Sequence, residues 1–203
     1  AAGRYVEQGA LLQRAATACE RLGDRHAGFE VLIERVQALV LCDDGDAALE
    51  AAAALESQAG TDVERLHAIA CHANLRGLRM ESEAALALGE RGLALAELLG
   101  DQAVRLDLCC TLSYVLSVLG RNAEAMERLE SMREWVHTQG SPTERQHWTT
   151  HMALVSTALG RLREAVRLHE ASAALAEQLN LLPELSMDYS NLSDAYSAIG
   201  LHG

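Results

Sequence analysis

Proline and aromatic side chains are nearly missing from this chain, which has two prolines, one phenylalanine and 3% aromatic residues in 203. Sheets draw on β-branched and aromatic residues, so this scarcity argues against a β fold. Abundant Ala, Leu, Glu and Arg with few helix breakers point to helices built on small and aliphatic contacts. No run of roughly 18 apolar residues occurs, which argues against a helical membrane span, and the N-terminus lacks the basic-then-apolar layout of a signal peptide. There is no stripe of Lys and Arg either. Acidic residues outnumber basic ones 29 to 17, and a net charge of −12 would repel a phosphate backbone, which speaks against direct nucleic-acid binding.

Catalytic signatures are absent as well. The sequence holds no Gly-rich phosphate loop, no GxSxG, no CxxC and no recognisable pair of catalytic carboxylates, so no catalytic residue, no cofactor and no metal is assigned. Five cysteines, Cys19, Cys42, Cys71, Cys109 and Cys110, are odd in number and sit among apolar residues. They read as reduced core thiols, which places the chain in the cytoplasm.

What the sequence does contain is a repeat. Leu119-Gly120-Arg121 followed by Glu124-Ala125 returns forty positions later as Leu159-Gly160-Arg161 followed by Glu164-Ala165, and a third copy begins at Ile199-Gly200. Breaks at Gly23, Gly60, Gly100, Gly140 and Asn180 are spaced 37, 40, 40 and 40 residues apart. Between them, apolar residues at helical spacing predict ten helices. These are Tyr5–Leu22, a helix from Asp24 to the Asp43-Asp44-Gly45 turn, Ala47–Ala59, a helix capped by Thr61 or Asp62 that ends near Arg76-Gly77, and Ser82–Leu99. Gln102–Leu119, Asn122–Thr138, Pro142–Leu159, Leu162–Leu179 and Glu184–Ile199 complete the set. A fixed period with two helices per unit is the signature of an α-solenoid, in which stacking supplies the core that no unit can build alone. The expected organisation is a single array over 1–203, with a half repeat at 1–23, units at 24–60, 61–100, 101–140 and 141–180, and a half repeat at 181–203. Starting at Ala-Ala-Gly and stopping where a further helix should begin, the chain reads as a piece of a larger protein.

Asn191-Leu192-Ser193, Tyr196 and Ile199-Gly200 resemble the first-helix pattern of tetratricopeptide repeats (TPR), a Leu, a small residue, a Tyr and a Leu-Gly turn. The small residue early in the second helix is matched by Ala125 and Ala165, and by Ala48 and Ser82 in the earlier units; it lets two helices approach closely. The match departs from the family in its period, about 34 residues in the usual repeat, and in ending its second helices with Gly or Asn rather than Pro. Long Ala- and Leu-rich repeats ending in Leu-Gly-Asp resemble those of large bacterial signalling proteins, among them ATP-binding transcriptional regulators and cyclase-linked ATPases. The resemblance implies an all-α, right-handed TPR-like superhelix whose first helices line a concave groove. Its groove-facing set is then His67, Cys71 and Asn74; Asp107, Cys110, Tyr114 and Ser117; His147, Thr150, Leu154 and Thr157; and Ser190, Asp194 and Ser197.

Several residues invite a sharper reading. His147 and His151 stand four apart on one helix face, as in a two-histidine metal pair, yet the glutamate of HExxH is missing and the sequence offers no third ligand. His67 and Cys71 share that spacing, and both pairs are read as coincidence. Cys109 and Cys110 cannot bond to each other within a helix, so one is expected in the core and the other nearer the groove. Trp135 and Trp148 bracket the Gly140 junction; either could anchor a peptide, but aromatics in this position more often plug the junction. Charges from Arg121 to Glu134 read as a solvated face with i,i+4 pairs.

The functional expectation is a non-enzymatic scaffold that binds a protein or peptide segment in its groove, as a module of a cytoplasmic bacterial regulator. One alternative is a sensor that closes around a small effector. Another is self-association into a homo-oligomer through the terminal helix faces, Tyr5–Leu22 and Glu184–Ile199.

Overall fold

The computed structural model describes residues 2–41 and 45–200. Its helices are α1 (Ala2–Leu22), α2 (Arg25–Leu41), α3 (Gly45–Gln58), α4 (Asp62–Leu78), α5 (Ser82–Leu99), α6 (Gln102–Val118), α7 (Asn122–Glu130), α8 (Arg133–Thr138), α9 (Pro142–Ala158), α10 (Leu162–Gln178) and α11 (Leu182–Ala198). No strand occurs among the described residues, and none of these helices is long and apolar enough to cross a membrane. Cys42 and the Asp43-Asp44 part of the expected turn lie outside the described residues. The chain falls into two compact units, Ala1–Gly100 and Asp101–Gly203, divided at a repeat junction that the sequence marks.

Side chains open the first helix of each pair. Thr61 Oγ1 accepts from the Glu64 N–H at 3.1 Å while Glu64 Oε2 accepts from the Thr61 N–H, a reciprocal capping box. Asp101 Oδ1 accepts from the Val104 N–H at 3.0 Å, and Ser141 forms a second box with Glu144 ahead of Pro142. These caps recur at intervals of 40 residues, and each is worth about 1 kcal/mol. The turn after a helix uses one left-handed residue: Gly100, Gly120, Gly160 and Gly200 have φ between 71° and 76°, and Met80 and Asn180 hold φ of 61° and 56°. The spacing of these turns is 20 residues, or 40 across Gly140, so the long period is two helix-plus-turn segments of equal length. Neither Gly60 nor Gly140 is left-handed. At Gly140 the reason for glycine is space, since a Cβ would lie 2.7 Å from the Val136 carbonyl oxygen.

The helix expected over Asn122–Thr138 is broken in two, which raises the number of described helices from ten to eleven. No proline or glycine marks the break. Met132 N–H closes on Leu129 O at 3.1 Å, and the Trp148 indole N–H donates to that same oxygen at 2.8 Å. A carbonyl claimed by a side chain from another helix is a recognised cause of a kink. Trp148 is 3% exposed, with the Arg133 guanidinium 5.1 Å from a ring centroid and the His137 ring edge-on at 5.4 Å. It plugs the junction, while Trp135 is only half-buried.

Within the first unit α2 packs on α3, and α4 packs on both α3 and α5; within the second, α6 packs on α7 and α9, and α10 on α9 and α11. The fourth residue of α3, α5, α7 and α10 is Ala48, Ala85, Ala125 and Ala165, each with no exposed surface, which brings the helix pairs close. Ser82, expected in that role, is half-buried at the first position of α5 and yields it to Ala85. Phe29, Val36, Leu55 and Leu75 anchor the first core. Leu106, Leu108, Leu112, Leu116, Leu129 and Met152 are fully buried in the second unit, and truncating any one of the leucines to Ala would cost about 2–5 kcal/mol. The charged face carries i,i+3 pairs, Arg121 with Glu124 at 2.6 Å and Arg133 with Glu130 at 2.5 Å.

Candidate functional site

The first helices of the second unit, α6 and α9, lie side by side, and 40 residues separate equivalent positions. Asp107 and His147 are such equivalents, and they meet: Asp107 Oδ1 is 3.4 Å from His147 Nδ1, with side chains 59% and 43% exposed. Tyr114, two turns beyond Asp107 on the same face of α6, is 38% exposed. Ser117 is half-buried one turn further on, and Leu154 is half-buried on α9. Thr157 is exposed, with its hydroxyl turned back onto Ala153 O at 3.0 Å.

Beneath this face lies a group that the sequence did not reveal. Cys110 Sγ and a ring nitrogen from each of His147 and His151 all lie within 4.8 Å of one another. The histidine rings meet edge to face at 4.9 Å, and His151 Nδ1 is 3.3 Å from Ser113 Oγ, whose own proton goes to Cys110 O at 2.7 Å. Burial, followed by the neighbouring His147, pushes the His151 pKa down to about 3, which keeps this imidazole neutral near pH 7. Burial also pushes the Cys110 thiol well above its ordinary value, with Asp107 and then Cys109 adding to the shift. Cys109 and Cys110 are both buried, so the expected division into one core thiol and one groove thiol does not hold; α6 is enclosed on both of these sides. The signal for the third donor was in the period, since position 110 lies one residue short of the repeat equivalent of His151.

Thr150, expected in the groove, is 2% exposed and belongs to a buried polar network instead. Its Oγ1 lies 2.6 Å from Ser172 Oγ, and Ser172 donates to Asp188 Oδ2 at 2.6 Å. Gln146 Nε2 donates to both hydroxyls, and Asp188 Oδ1 is 3.3 Å from His169 Nδ1. Gln146, Ser172, His169 and Asp188 are at most 2% exposed, and they tie α9, α10 and α11 together. Ser172, His169 and Asp188 lack the geometry of a nucleophilic triad: the hydroxyl bonds the carboxylate rather than the imidazole, and all three side chains are enclosed.

The remaining candidates are dispersed. Ser190, Asp194 and Ser197 are exposed on α11. In the first unit Asn74 is exposed and His67 half-buried on α4, and burial raises the half-buried Cys71 thiol to about 11, so it is a protonated, unreactive group.

Paired antiparallel helices, small-residue contacts and caps at a 40-residue period define a TPR-like repeat fold. Solved structures have the same fold. Nearly identical TPR-like repeats assigned to a kinesin light chain of Podosopora anserina are similar at 19% identity with a TM-score of 0.53, covering 98% of this chain and 89% of that one. A point variant of that protein is similar at 21% identity and a TM-score of 0.54, covering 98% and 88%. No protein-family model and no curated protein sequence matches.

Proposed function

We propose that this chain is a non-enzymatic scaffold that binds a protein or peptide segment along the exposed faces of its first helices. The observation that carries this reading is the meeting of Asp107 with His147. Repeat-equivalent polar residues of adjacent first helices stand side by side, and Tyr114 extends the same accessible face. Such a face engages an extended segment through preorganised polar groups and one aromatic anchor, and the net charge of −12 favours basic or neutral partners. The TPR-like fold supports the reading. We place the chain as one continuous array within a cytoplasmic bacterial signalling or transcriptional regulator, on the resemblance of its long repeats.

The test is selection of binders from a displayed peptide library, followed by calorimetry on the synthetic peptides. Tyr114→Ala should weaken binding at least tenfold, about 1.4 kcal/mol. Unchanged affinity in Tyr114→Ala and Asp107→Ala alike would reject the face. A second reading, self-association through a terminal helix, rests on α11, where Leu182, Met187 and Tyr189 are 64%, 46% and 54% exposed. Light scattering that finds a strict monomer would remove it.

A further inference from the structure

We propose that Cys110, His147 and His151 form a binding site for a zinc-class divalent cation, with Asp107 and Ser113 as its positioning residues. Among the described residues they are the one group of three or more His, Cys, Asp or Glu side chains whose donor atoms converge. In a tetrahedral zinc site the ligand atoms stand about 3.3–3.6 Å apart, given Zn–S near 2.3 Å and Zn–N near 2.0–2.1 Å. Donors already within 4.8 Å of one another therefore need to close by only about 1 Å. His147 can supply that movement, because its ring is half-exposed and turns about two side-chain bonds.

Hydrogen bonding selects the nitrogens that would coordinate. Ser113 donates its proton to Cys110 O, so toward His151 it is an acceptor, and Nδ1 of that ring must carry the hydrogen. Asp107 likewise favours the hydrogen on Nδ1 of His147. Both rings are left with Nε2 as the nitrogen bearing a lone pair. An acceptor behind the non-coordinating nitrogen is the support that metal-binding histidines use.

One thiolate and two imidazoles suit Zn(II) and its neighbours in the first transition row and disfavour Ca(II) and Mg(II), which take oxygen donors. Three protein ligands leave the fourth position to water. On binding, the Cys110 S–H bond is replaced by an S–metal bond and the proton passes to solvent; nothing is oxidised or reduced. The site needs no partner, so it stands or falls apart from the scaffold reading.

Cobalt(II) titration of the reduced protein, followed by absorption, tests it. A 1:1 complex should show a thiolate-to-cobalt charge-transfer band with the ligand-field bands of a tetrahedral site, and Zn(II) should displace it. Cys110→Ser should abolish the charge-transfer band, and His147→Ala should weaken cobalt binding at least tenfold. Asp107→Asn should keep the band and weaken binding about tenfold. Cys109→Ser and Cys71→Ser should change neither; the latter guards against the His67–Cys71 pair. Circular dichroism reports folding, and if Cys110→Ser unfolds, the half-exposed His147 decides the matter. Absence of the band in wild type, its survival in folded Cys110→Ser, its loss in Cys71→Ser, or wild-type affinity in His147→Ala would each overturn the proposal.

Discussion

Replacing Asp188 by alanine should loosen the C-terminal end of the second unit more than any surface change on α11. Asp188 has no exposed surface, and its two oxygens serve Ser172 Oγ at 2.6 Å and His169 Nδ1 at 3.3 Å, both on α10. Truncation leaves the His169 ring, 1% exposed, without its acceptor, takes the carboxylate from Ser172 Oγ while Thr150 and Gln146 stay beside it, and opens a carboxylate-sized void. An orphaned buried polar group costs about 1–3 kcal/mol and the void about 2 kcal/mol more, about 3–5 kcal/mol in all. For a chain of this length that lowers Tm by about 6–20 °C. Because repeats are held by their neighbours, the loss should be local. Hydrogen exchange should show protection falling in α10 and α11 while α4 and α5 keep theirs. Asp188→Asn retains one acceptor and should fall between the two. A Tm within about 2 °C of wild type for Asp188→Ala, well under this range, would refute the view that the network holds α11 in place.

Other perturbations follow from the same structure. Trp148→Phe keeps the ring but withdraws its N–H from Leu129 O, at a cost of about 1 kcal/mol or 2–4 °C in Tm. Amide exchange should then slow at Ser131–Arg133 if the indole is what breaks the helix. Glu64 has its pKa held below 4.5, first by the Gly60 N–H and then by His26 and the Thr61 N–H, against the opposing effect of burial. A depressed folded-state pKa contributes stability that is present above the unfolded value and lost as pH falls through the folded one. Acid melts below about pH 4.5 should therefore be shallower in Glu64→Gln than in wild type. Met80 and Asn180 occupy the left-handed place that glycine fills in other copies. Met80→Gly and Asn180→Gly should leave stability equal or raise it by up to about 1 kcal/mol, and Gly160→Ala should lower it by about 1–2 kcal/mol, read by urea melts.

The helical class, the 40-residue period and most helix boundaries are local properties, and the sequence alone determined them. Thr61, Asp101 and Ser141 cap the helices that follow them, and Gly100, Gly120, Gly160 and Gly200 each supply a left-handed turn, because these choices depend on residues within a turn of one another. Even the meeting of Asp107 with His147 was legible in principle, since a repeat places equivalent positions of adjacent first helices side by side. The remaining features depend on how the helices pack. The break at Ser131–Met132 depends on an indole contributed by α9, with no local breaker to announce it. Thr150 and Asp107 look alike as polar residues on first helices, yet one is enclosed by α10 and the other is open to solvent. Cys110 joins His147 and His151 because α6 and α9 pack with one particular rotation, and that rotation is fixed by side-chain interlock along their whole length rather than by any local signal.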